Sequence, residues 1–279
     1  MLNTKAIKRV VVKVGTSTLT HDNGRLNLRT IDHLARVISE CQNRGYEMVL
    51  VTSAAISIGA QKLGMEERPT ELRFKQAAAA VGQGELMHLY NKCFAEYGHN
   101  VAQILLTHED IIHVSRRRNL INTFDALFIS GAIPIINEND TVSVKEIEFN
   151  DENTNSIVLG DNDTLSAVVA KLCMADLLIL LTDIEGLYDS DPRQNPQAQL
   201  IPVVYEITDQ LRRAAGGAGT RHGTGGMSTK LSAAQICMED HIPMHIASGK
   251  NPEIVFDILE GKPAGTLFLP PQPGEEEIY

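Results

Sequence analysis

Residues 223–230 read GTGGMSTK, and LSAAQICME follows up to residue 239 with the spacing of an amphipathic helix. A glycine-rich turn therefore leads into a helix. Such a turn leaves backbone N–H groups pointing outward, and the helix N-terminus adds partial positive charge, so the segment favours an anion such as phosphate. Lys230 stands where the helix dipole repels a cation, at a cost of roughly 0.3–1 kcal/mol unless an anion lies beside it. We interpret Lys230 as a phosphate ligand; the alternative is a flexible surface turn with a solvated lysine.

The rest of the chain alternates apolar runs with amphipathic segments that end at glycine. This pattern predicts strands at 9–14, 47–51, 101–106, 133–136, 175–181 and 241–246, and helices at 28–44, 71–97, 115–130, 165–175, 206–215, 231–239 and 253–260. The alternation indicates an α/β fold, a three-layer αβα sandwich around a mainly parallel open sheet. The sequence contains no internal repeat and no clear linker, which favours two lobes on one continuous sheet.

Polar residues follow five of the predicted strands, at 15–17, 52–53, 137–140, 182–183 and 247–249. Ligands of parallel sheets bind at the carboxyl ends of the strands, so these five segments define a candidate crevice. The cluster Asn137, Glu138, Asn139 and Asp140 is either a turn held by side-chain hydrogen bonds or a pocket for a substrate ammonium group, which needs fixed acceptors.

Lys13 lies inside the apolar run of the first strand, where an ammonium group is unfavourable unless it reaches solvent or meets a fixed anion. We favour the anion. Asp163 or Thr164 is placed to cap the helix predicted from residue 165, and a carboxylate there is also placed to hold the lysines. The sequence has no GxxxxGK[ST] and no GxGxxG between a strand and a helix. The lysine pair that remains suits phosphoryl transfer with Mg²⁺.

The formal net charge of −10 argues against a broad surface for nucleic acid or anionic membrane. The longest apolar runs are too short to span a bilayer, and the run behind the basic N-terminus is broken at Lys13, so we expect no membrane span, no signal peptide and a cytoplasmic protein. The cysteines at 41, 93, 173 and 237 form no C-x-x-C pair and are expected to be reduced and packed.

Short motifs run along nearly the whole chain: VKVGTS (12–17), VTS (51–53), AVGQ (80–83), PIINEND (134–140), GDND (160–163), LTD (181–183), GLY (186–188), DPR (191–193), NP (195–196), GTGGMSTK (223–230) and GTLF (265–268). In this order they resemble the motifs of the amino acid kinase superfamily. The resemblance implies one domain over 1–268, with an acceptor-binding lobe at about 1–175 and an ATP-binding lobe at about 176–268. We expect residues 269–279 to form a flexible tail.

The resemblance also implies ATP-dependent phosphorylation of the γ-carboxylate of L-glutamate to L-glutamyl 5-phosphate, the first step of proline biosynthesis. Lys13 and Lys230 would stabilise the transferring phosphoryl group, and Asp163 would orient them. The residues implied to hold glutamate are Ser53, Asp140 and Asn162. Those implied to bind ATP are Lys13, Thr182, Asp183, Thr224, Gly225, Gly226, Met227, Ser228, Thr229 and Lys230. No base is needed because the acceptor carboxylate is already ionised at neutral pH, and Mg²⁺ would bind mainly through the phosphates. No metal ligand is identified.

Three features depart from the family pattern. Residue 54 is alanine where the family usually has glycine, which narrows backbone access beside Ser53. The segment 144–159 is longer than the usual loop, and this bears on lid behaviour and on feedback inhibition by proline. Many relatives also carry a C-terminal PUA-type RNA-binding domain; this sequence stops before one would fit, and we expect no nucleic-acid role.

Two other interpretations stay open. The acceptor is alternatively N-acetylglutamate, aspartate or a nucleoside monophosphate, although the cluster 137–140 favours a free amine. The chain is alternatively a non-catalytic amino-acid sensor, although sensing does not require Lys13 and Lys230. We also expect a homo-oligomer, to which the apolar helix at 71–97 contributes a dimer face.

Overall fold

The computed structural model describes residues 2–21, 23–143, 161–192, 194–214 and 226–270. Strands of these residues form one eight-stranded sheet: β1 (Arg9–Val14), β2 (Glu47–Val51), β3 (Val101–Leu106), β4 (Ile133–Glu138), β5 (Leu177–Thr182), β6 (Val203–Val204), β7 (Met244–Ser248) and β8 (Thr266–Phe268). The strand order is β3-β4-β2-β1-β5-β7-β8-β6, and all neighbours are parallel except β7 and β8. The prediction of a mainly parallel open sheet is confirmed.

Helices cover both faces of this sheet. The described residues contain α1 (Thr16–Leu19), α2 (Leu28–Asn43), α3 (Ala55–Lys62), α4 (Leu72–Glu96), α5 (His108–Ile112), α6 (Val114–Ile129), α7 (Asn162–Leu172), α8 (Asp209–Ala214), α9 (Met227–Glu239) and α10 (Ile254–Leu259). Side chains of α2, α3, α4 and α10 pack on the face that carries Val10, Val12 and Val14. Those of α6, α7 and α9 pack on the opposite face, which carries Val11. The predicted three layers are therefore present.

The strand order reverses direction at β1. The chain passes from β1 to β2 on one side, and later returns to place β5 on the other side. Such a reversal opens a crevice at the carboxyl ends of the strands. Thr52, Glu138, Thr182 and Ser248 lie at or next to the carboxyl ends of β2, β4, β5 and β7, so the polar strand ends share one edge of the sheet.

Several element boundaries differ from the predictions. Strand β4 extends to Glu138, so Asn137 and Glu138 belong to a strand and not to a turn. Helix α9 begins at Met227, so residues 227–230 are helical and not part of the glycine-rich turn. The sequence pattern does not indicate α1, α3, β6 or β8, because each is short or interrupted by small and polar residues. The segment 144–159 lies outside the described residues, as does all of the predicted tail after residue 270.

Helices α3 and α4 are in direct backbone contact. A Cβ atom added to Gly82 would lie 1.8 Å from the carbonyl oxygen of Ala55, and one added to Gly59 would lie 1.7 Å from that of Ala78. No side chain fits at either position, so both must be glycine for the helices to approach this closely. The contact fixes α3, whose first residues border the crevice, against the long helix α4.

None of the helices in the described part of the chain is both long and apolar enough to cross a bilayer. The four cysteines are free thiols, as expected; Cys41, Cys173 and Cys237 are buried, and Cys93 is partly exposed.

Candidate active site

Two lysines and one aspartate meet at the carboxyl end of β1. Lys13 lies on the same face of the sheet as Val11, because side chains of a strand alternate between faces, and that face is covered by α7 and α9. Asp163 lies in the first turn of α7, and Lys230 in the first turn of α9. Nζ of Lys13 is 2.5 Å from Oδ1 of Asp163, and Nζ of Lys230 is 3.1 Å from Oδ2.

This charge group is buried and carries an excess of positive charge. Lys13, Asp163 and Lys230 expose only 8%, 1% and 6% of their surface. Within the described residues, the salt bridges of both lysines go to Asp163 alone. Because a buried charge is unfavourable without a partner, one carboxylate between two ammonium groups leaves a place for a further anion.

Asp163 is ionised at neutral pH. Burial alone would raise the pKa of Asp163, but the positive charges of Lys13 and Lys230, with hydrogen bonds from Lys13 and Thr229, hold that pKa well below its ordinary value. The hydroxyl of Thr229 donates to Oδ2 of Asp163 over 2.8 Å. Asp163 is therefore a fixed anion that positions the lysines and not a proton carrier. The contact with Thr229 is not predicted by the sequence, which suggests only nucleotide binding for this residue.

Asp161 caps α7. Its Oδ1 accepts hydrogen bonds from the backbone N–H groups of Asp163, over 2.8 Å, and Thr164, over 2.9 Å. The prediction that Asp163 or Thr164 caps this helix is wrong, because the helix begins before its first apolar residue. Since Asp161 supplies the cap, the carboxylate of Asp163 is left for the lysines.

Asn162 joins the polar ends of β2 and β4. Its Nδ2 is 2.8 Å from Oγ of Ser53, 2.9 Å from the carbonyl oxygen of Thr52 and 3.1 Å from Oδ1 of Asn137. Asn137 in turn donates to Oε1 of Gln83 over 2.9 Å. The carbonyl oxygen of Thr52 can only accept, which fixes the orientation of the Asn162 amide. Its Oδ1 is buried without a hydrogen-bond partner in the described part of the chain, and a substrate donor such as an ammonium group would satisfy it.

The residues implied to hold glutamate line one pocket. Ser53, Asp140 and Asn162 all border it, together with Thr16 from the segment after β1. Arg68 also lines this pocket. The sequence alone gives Arg68 no role, because it lies in a loop without a recognisable motif.

Ala54 adopts a left-handed backbone conformation beside this pocket. Its φ is 79° and its ψ is −2°, where a residue with a Cβ atom is strained by roughly 1–2 kcal/mol. The resemblance to amino acid kinases implies glycine at this position. Ala54 thus adopts a backbone conformation that favours glycine and is strained in doing so.

The N-terminus of α9 and the end of β5 form the second part of the crevice. Gly226 is the N-cap of α9, and the first N–H groups of any helix have no partner within it. Thr182 ends β5, and its hydroxyl donates to Oδ1 of Asp183 over 3.0 Å. Of the residues implied to bind ATP, Thr224 and Gly225 lie outside the described residues.

A larger cavity, of about 510 Å³, lies at the opposite ends of the strands, and by size alone it would be taken as the active site. The charged groups that line it already have partners. Lys171 pairs with Asp240 over 2.9 Å, and Asp176 accepts hydrogen bonds from the backbone N–H groups of Lys8 and Arg9. We place the active site at the carboxyl edge because the buried, unbalanced charge lies there.

In the described ranges, no group of three or more His, Cys, Asp or Glu side chains is placed to hold a metal ion. Mg²⁺ does not require such a group, because it retains waters and is bound through one or two carboxylates and substrate phosphates. A site without such a group is therefore compatible with a Mg²⁺ ion that arrives with a nucleotide.

A parallel sheet with a buried lysine pair at its carboxyl edge suits a phosphotransferase, and comparison with known families agrees. The sequence model of the amino acid kinase family matches residues 8–248. The chain belongs to the amino acid kinase family.

Within that family, the chain groups with the glutamate 5-kinases. It is 53% identical over 265 residues to the glutamate 5-kinase of Clostridium perfringens, covering 95% of this chain and 96% of that protein. It is 54% identical over 264 residues to the glutamate 5-kinase of Clostridium tetani, covering 95% of each. Among solved structures, a carbamate kinase from Giardia lamblia aligns with a TM-score of 0.68 at 16% identity, covering 95% of this chain and 99% of that one. A UMP kinase from Ureaplasma parvum aligns with a TM-score of 0.63 at the same identity, over 94% and 99%. At such low identity these two structures support the fold alone.

Proposed function

We propose that this chain transfers the γ-phosphoryl group of ATP to the γ-carboxylate of L-glutamate, forming ADP and L-glutamyl 5-phosphate in the first step of proline biosynthesis. The observation that carries the proposal is the buried group of Lys13, Asp163 and Lys230, whose excess positive charge suits a phosphoryl group. The high identity to glutamate 5-kinases supports the choice of acceptor.

Lys13 and Lys230 act on the transferring group. Negative charge lies on its oxygens throughout the transfer, and two fixed ammonium groups in a dry site stabilise that charge better than water does. Asp163 holds both Nζ atoms in place between turnovers. The acceptor carboxylate needs no base, since a glutamate side chain with an ordinary pKa of about 4.3 is ionised at neutral pH.

Ser53, Asp140 and Asn162 bind the acceptor. The unpartnered Oδ1 of Asn162 and the carboxylate of Asp140 are both suited to the α-ammonium group of a free amino acid. An acylated amine has fewer protons to donate and no charge, so the same groups disfavour N-acetylglutamate.

ATP binds along the remaining part of the crevice. Thr182 and Asp183 lie at the end of β5, and residues 224–230 lead into α9, whose N-terminal N–H groups and dipole suit phosphates. Mg²⁺, when bound, neutralises part of the phosphate charge. In this assignment residues of about 1–175 form the acceptor-binding lobe and residues of about 176–268 the ATP-binding lobe.

We further assign the protein to the cytoplasm and expect a homo-oligomer that is subject to feedback inhibition by proline. The oligomer is supported by exposed apolar side chains at the start of α4 and along it, at Leu72, Phe74 and Val81. Light scattering coupled to size exclusion tests the oligomer, and titration of the kinase assay with proline tests the inhibition.

The activity is tested by trapping the acyl phosphate. The protein is incubated with Mg-ATP, hydroxylamine and either L-glutamate, N-acetylglutamate or L-aspartate, and hydroxamate is measured; ADP release is measured with UMP. Hydroxamate from L-glutamate, at a rate lowered roughly 100-fold or more in Lys230→Met, is the expected result. Lys171→Met is the matched control, because Lys171 is a surface lysine paired with Asp240. Hydroxamate from N-acetylglutamate but not glutamate would refute the acceptor, and glutamate binding without any turnover would indicate a sensor.

A further inference from the structure

Arg68 stands at the acceptor pocket without a role in the proposed chemistry. It lies in the loop between α3 and α4, and it lines the same pocket as Ser53, Asp140 and Asn162. The two helices that flank this loop contact each other at Gly59 and Gly82. Arg68 is therefore a cation on the wall of the acceptor pocket.

Asp140 is an electrostatic neighbour of Arg68. The side chain of Arg68 is exposed overall, but its guanidinium group is crowded by protein atoms, which lowers its pKa, and the negative charge of Asp140 opposes this change. Both side chains line one pocket, where the positive charge of Arg68 and the negative charge of Asp140 interact.

This pairing matches the head of an α-amino acid. The ammonium and the carboxylate of such a molecule are attached to one carbon, so the groups that bind them must be neighbours of opposite charge. Asp140 is assigned to the ammonium group. The α-carboxylate needs N–H donors, and a guanidinium offers several in a planar arrangement that matches both carboxylate oxygens.

Among the described residues, Lys13 and Lys230 are further cations of the crevice. Both bind Asp163, at the end of the crevice where phosphoryl transfer takes place. The first residues of α3, at 55–57, also line the acceptor pocket, and their N–H groups have no partner within the helix. They add positive potential on the same side as Arg68.

We propose that Arg68 binds the α-carboxylate of L-glutamate and so determines specificity for acceptors that carry this group. The inference rests on the proposed function, because it assumes that glutamate occupies the pocket. It makes Arg68 a specificity residue that contacts the substrate away from the reacting atoms.

The test compares two ligands that differ only at the α-carboxyl group. L-isoglutamine has an α-carboxamide and keeps the ammonium group and the γ-carboxylate. In Arg68→Met we expect KM for L-glutamate to rise about 10- to 100-fold, the loss typical of a hydrogen bond between charged groups. The inhibition constant of L-isoglutamine against glutamate should change by less than about 2-fold, because the contact that is removed is one that isoglutamine makes poorly. Arg68→Lys should give an intermediate KM, since it keeps the charge and loses the planar geometry.

Arg73→Met serves as the control, because Arg73 lies five positions along the same chain segment and pairs with Glu71. We expect it to leave both constants at wild-type values. An unchanged KM for glutamate in Arg68→Met, or an equal weakening of glutamate and isoglutamine, would overturn the proposal. A wild-type protein that forms no hydroxamate from glutamate would instead refute the proposed function, so the two failures are distinguishable.

Discussion

Replacing Asp163 with asparagine removes the only negative charge that the described residues place between Lys13 and Lys230. Asparagine keeps the size of the side chain and an acceptor for the Thr229 hydroxyl. Removing one partner of a buried ion pair costs about 3–5 kcal/mol, because the remaining charge stays buried without compensation. Both lysines are at least nine-tenths buried, so we expect Asp163→Asn to lower the free energy of unfolding by this amount.

A second variant separates charge balance from the mere loss of a contact. Lys13→Met leaves Lys230 and Asp163 as a balanced pair, so we expect its stability to differ from wild type by about 1 kcal/mol or less. Its rate of phosphoryl transfer should nevertheless fall roughly 100- to 1000-fold, as when one transition-state donor is removed. Lys13→Met should therefore lose activity with little change in stability, whereas Asp163→Asn should lose stability.

Urea unfolding of the ligand-free proteins, followed by far-UV circular dichroism, measures these differences. Because the folded-state pKa of Asp163 is lowered, its carboxylate stabilises the fold at neutral pH, and this contribution is lost as the pH falls below about 4, the ordinary value for aspartate. The gap between wild type and Asp163→Asn should thus narrow on acidification. Equal urea midpoints for wild type and Asp163→Asn at neutral pH would refute the reasoning. So would a loss of stability in Lys13→Met as large as that in Asp163→Asn.

Three further predictions concern stability. Burial lowers the pKa of His245 to about 4, so between about pH 6.5 and pH 4 the unfolded chain binds a proton that the folded one does not. The free energy of unfolding should therefore fall by about 3 kcal/mol as the pH is lowered through this range. Urea unfolding should show this loss in wild type and not in His245→Gln. Ala54→Gly should raise the unfolding free energy by about 1 kcal/mol by relieving strain, with the glutamate KM unchanged or lower, and a lower urea midpoint would contradict this. Gly82→Ala should lower the free energy of unfolding by at least about 3 kcal/mol, because its Cβ atom would clash with the backbone of α3. Gly84→Ala is the control: its Cβ atom would meet nothing within 4 Å, so it should be neutral or stabilising. Equal melting temperatures for the two variants would contradict the backbone contact between α3 and α4.

The architecture is predictable from the sequence because its strands are apolar runs bounded by glycine. β1 and β5 are buried on both faces, as the apolar runs at 9–14 and 175–181 predict. Strand ends at the site are less predictable. β4 continues through Asn137 and Glu138 because both residues pair with β3, at Leu105 and Leu106. Their composition indicates a turn, and only the neighbouring strand makes them part of the sheet.

Motifs predict which residues form the site more readily than what each one touches. The resemblance to amino acid kinases singles out Asn162 and Asp163. The hydrogen bonds of Asn162 to Ser53 and Asn137, however, form only because the start of α7 meets the carboxyl ends of β2 and β4. Arg68 carries no sequence signal at all. It lies in the loop between α3 and α4, which pack through backbone contact, and such packing leaves no side-chain pattern in the sequence.

The fold places two helix N-termini and the two lysines at one point, and Asp163 balances part of their positive charge. Helices α7 and α9 each precede a parallel strand and run back against it, so their N-termini lie at the carboxyl edge, beside the end of β1. Two positive helix ends and two ammonium groups would repel one another without Asp163. A second carboxylate directed at the lysines would cancel the charge that attracts a phosphoryl group. Asp161 is close in sequence but its carboxylate is used to cap α7, so the lysines keep one net positive charge for the substrate.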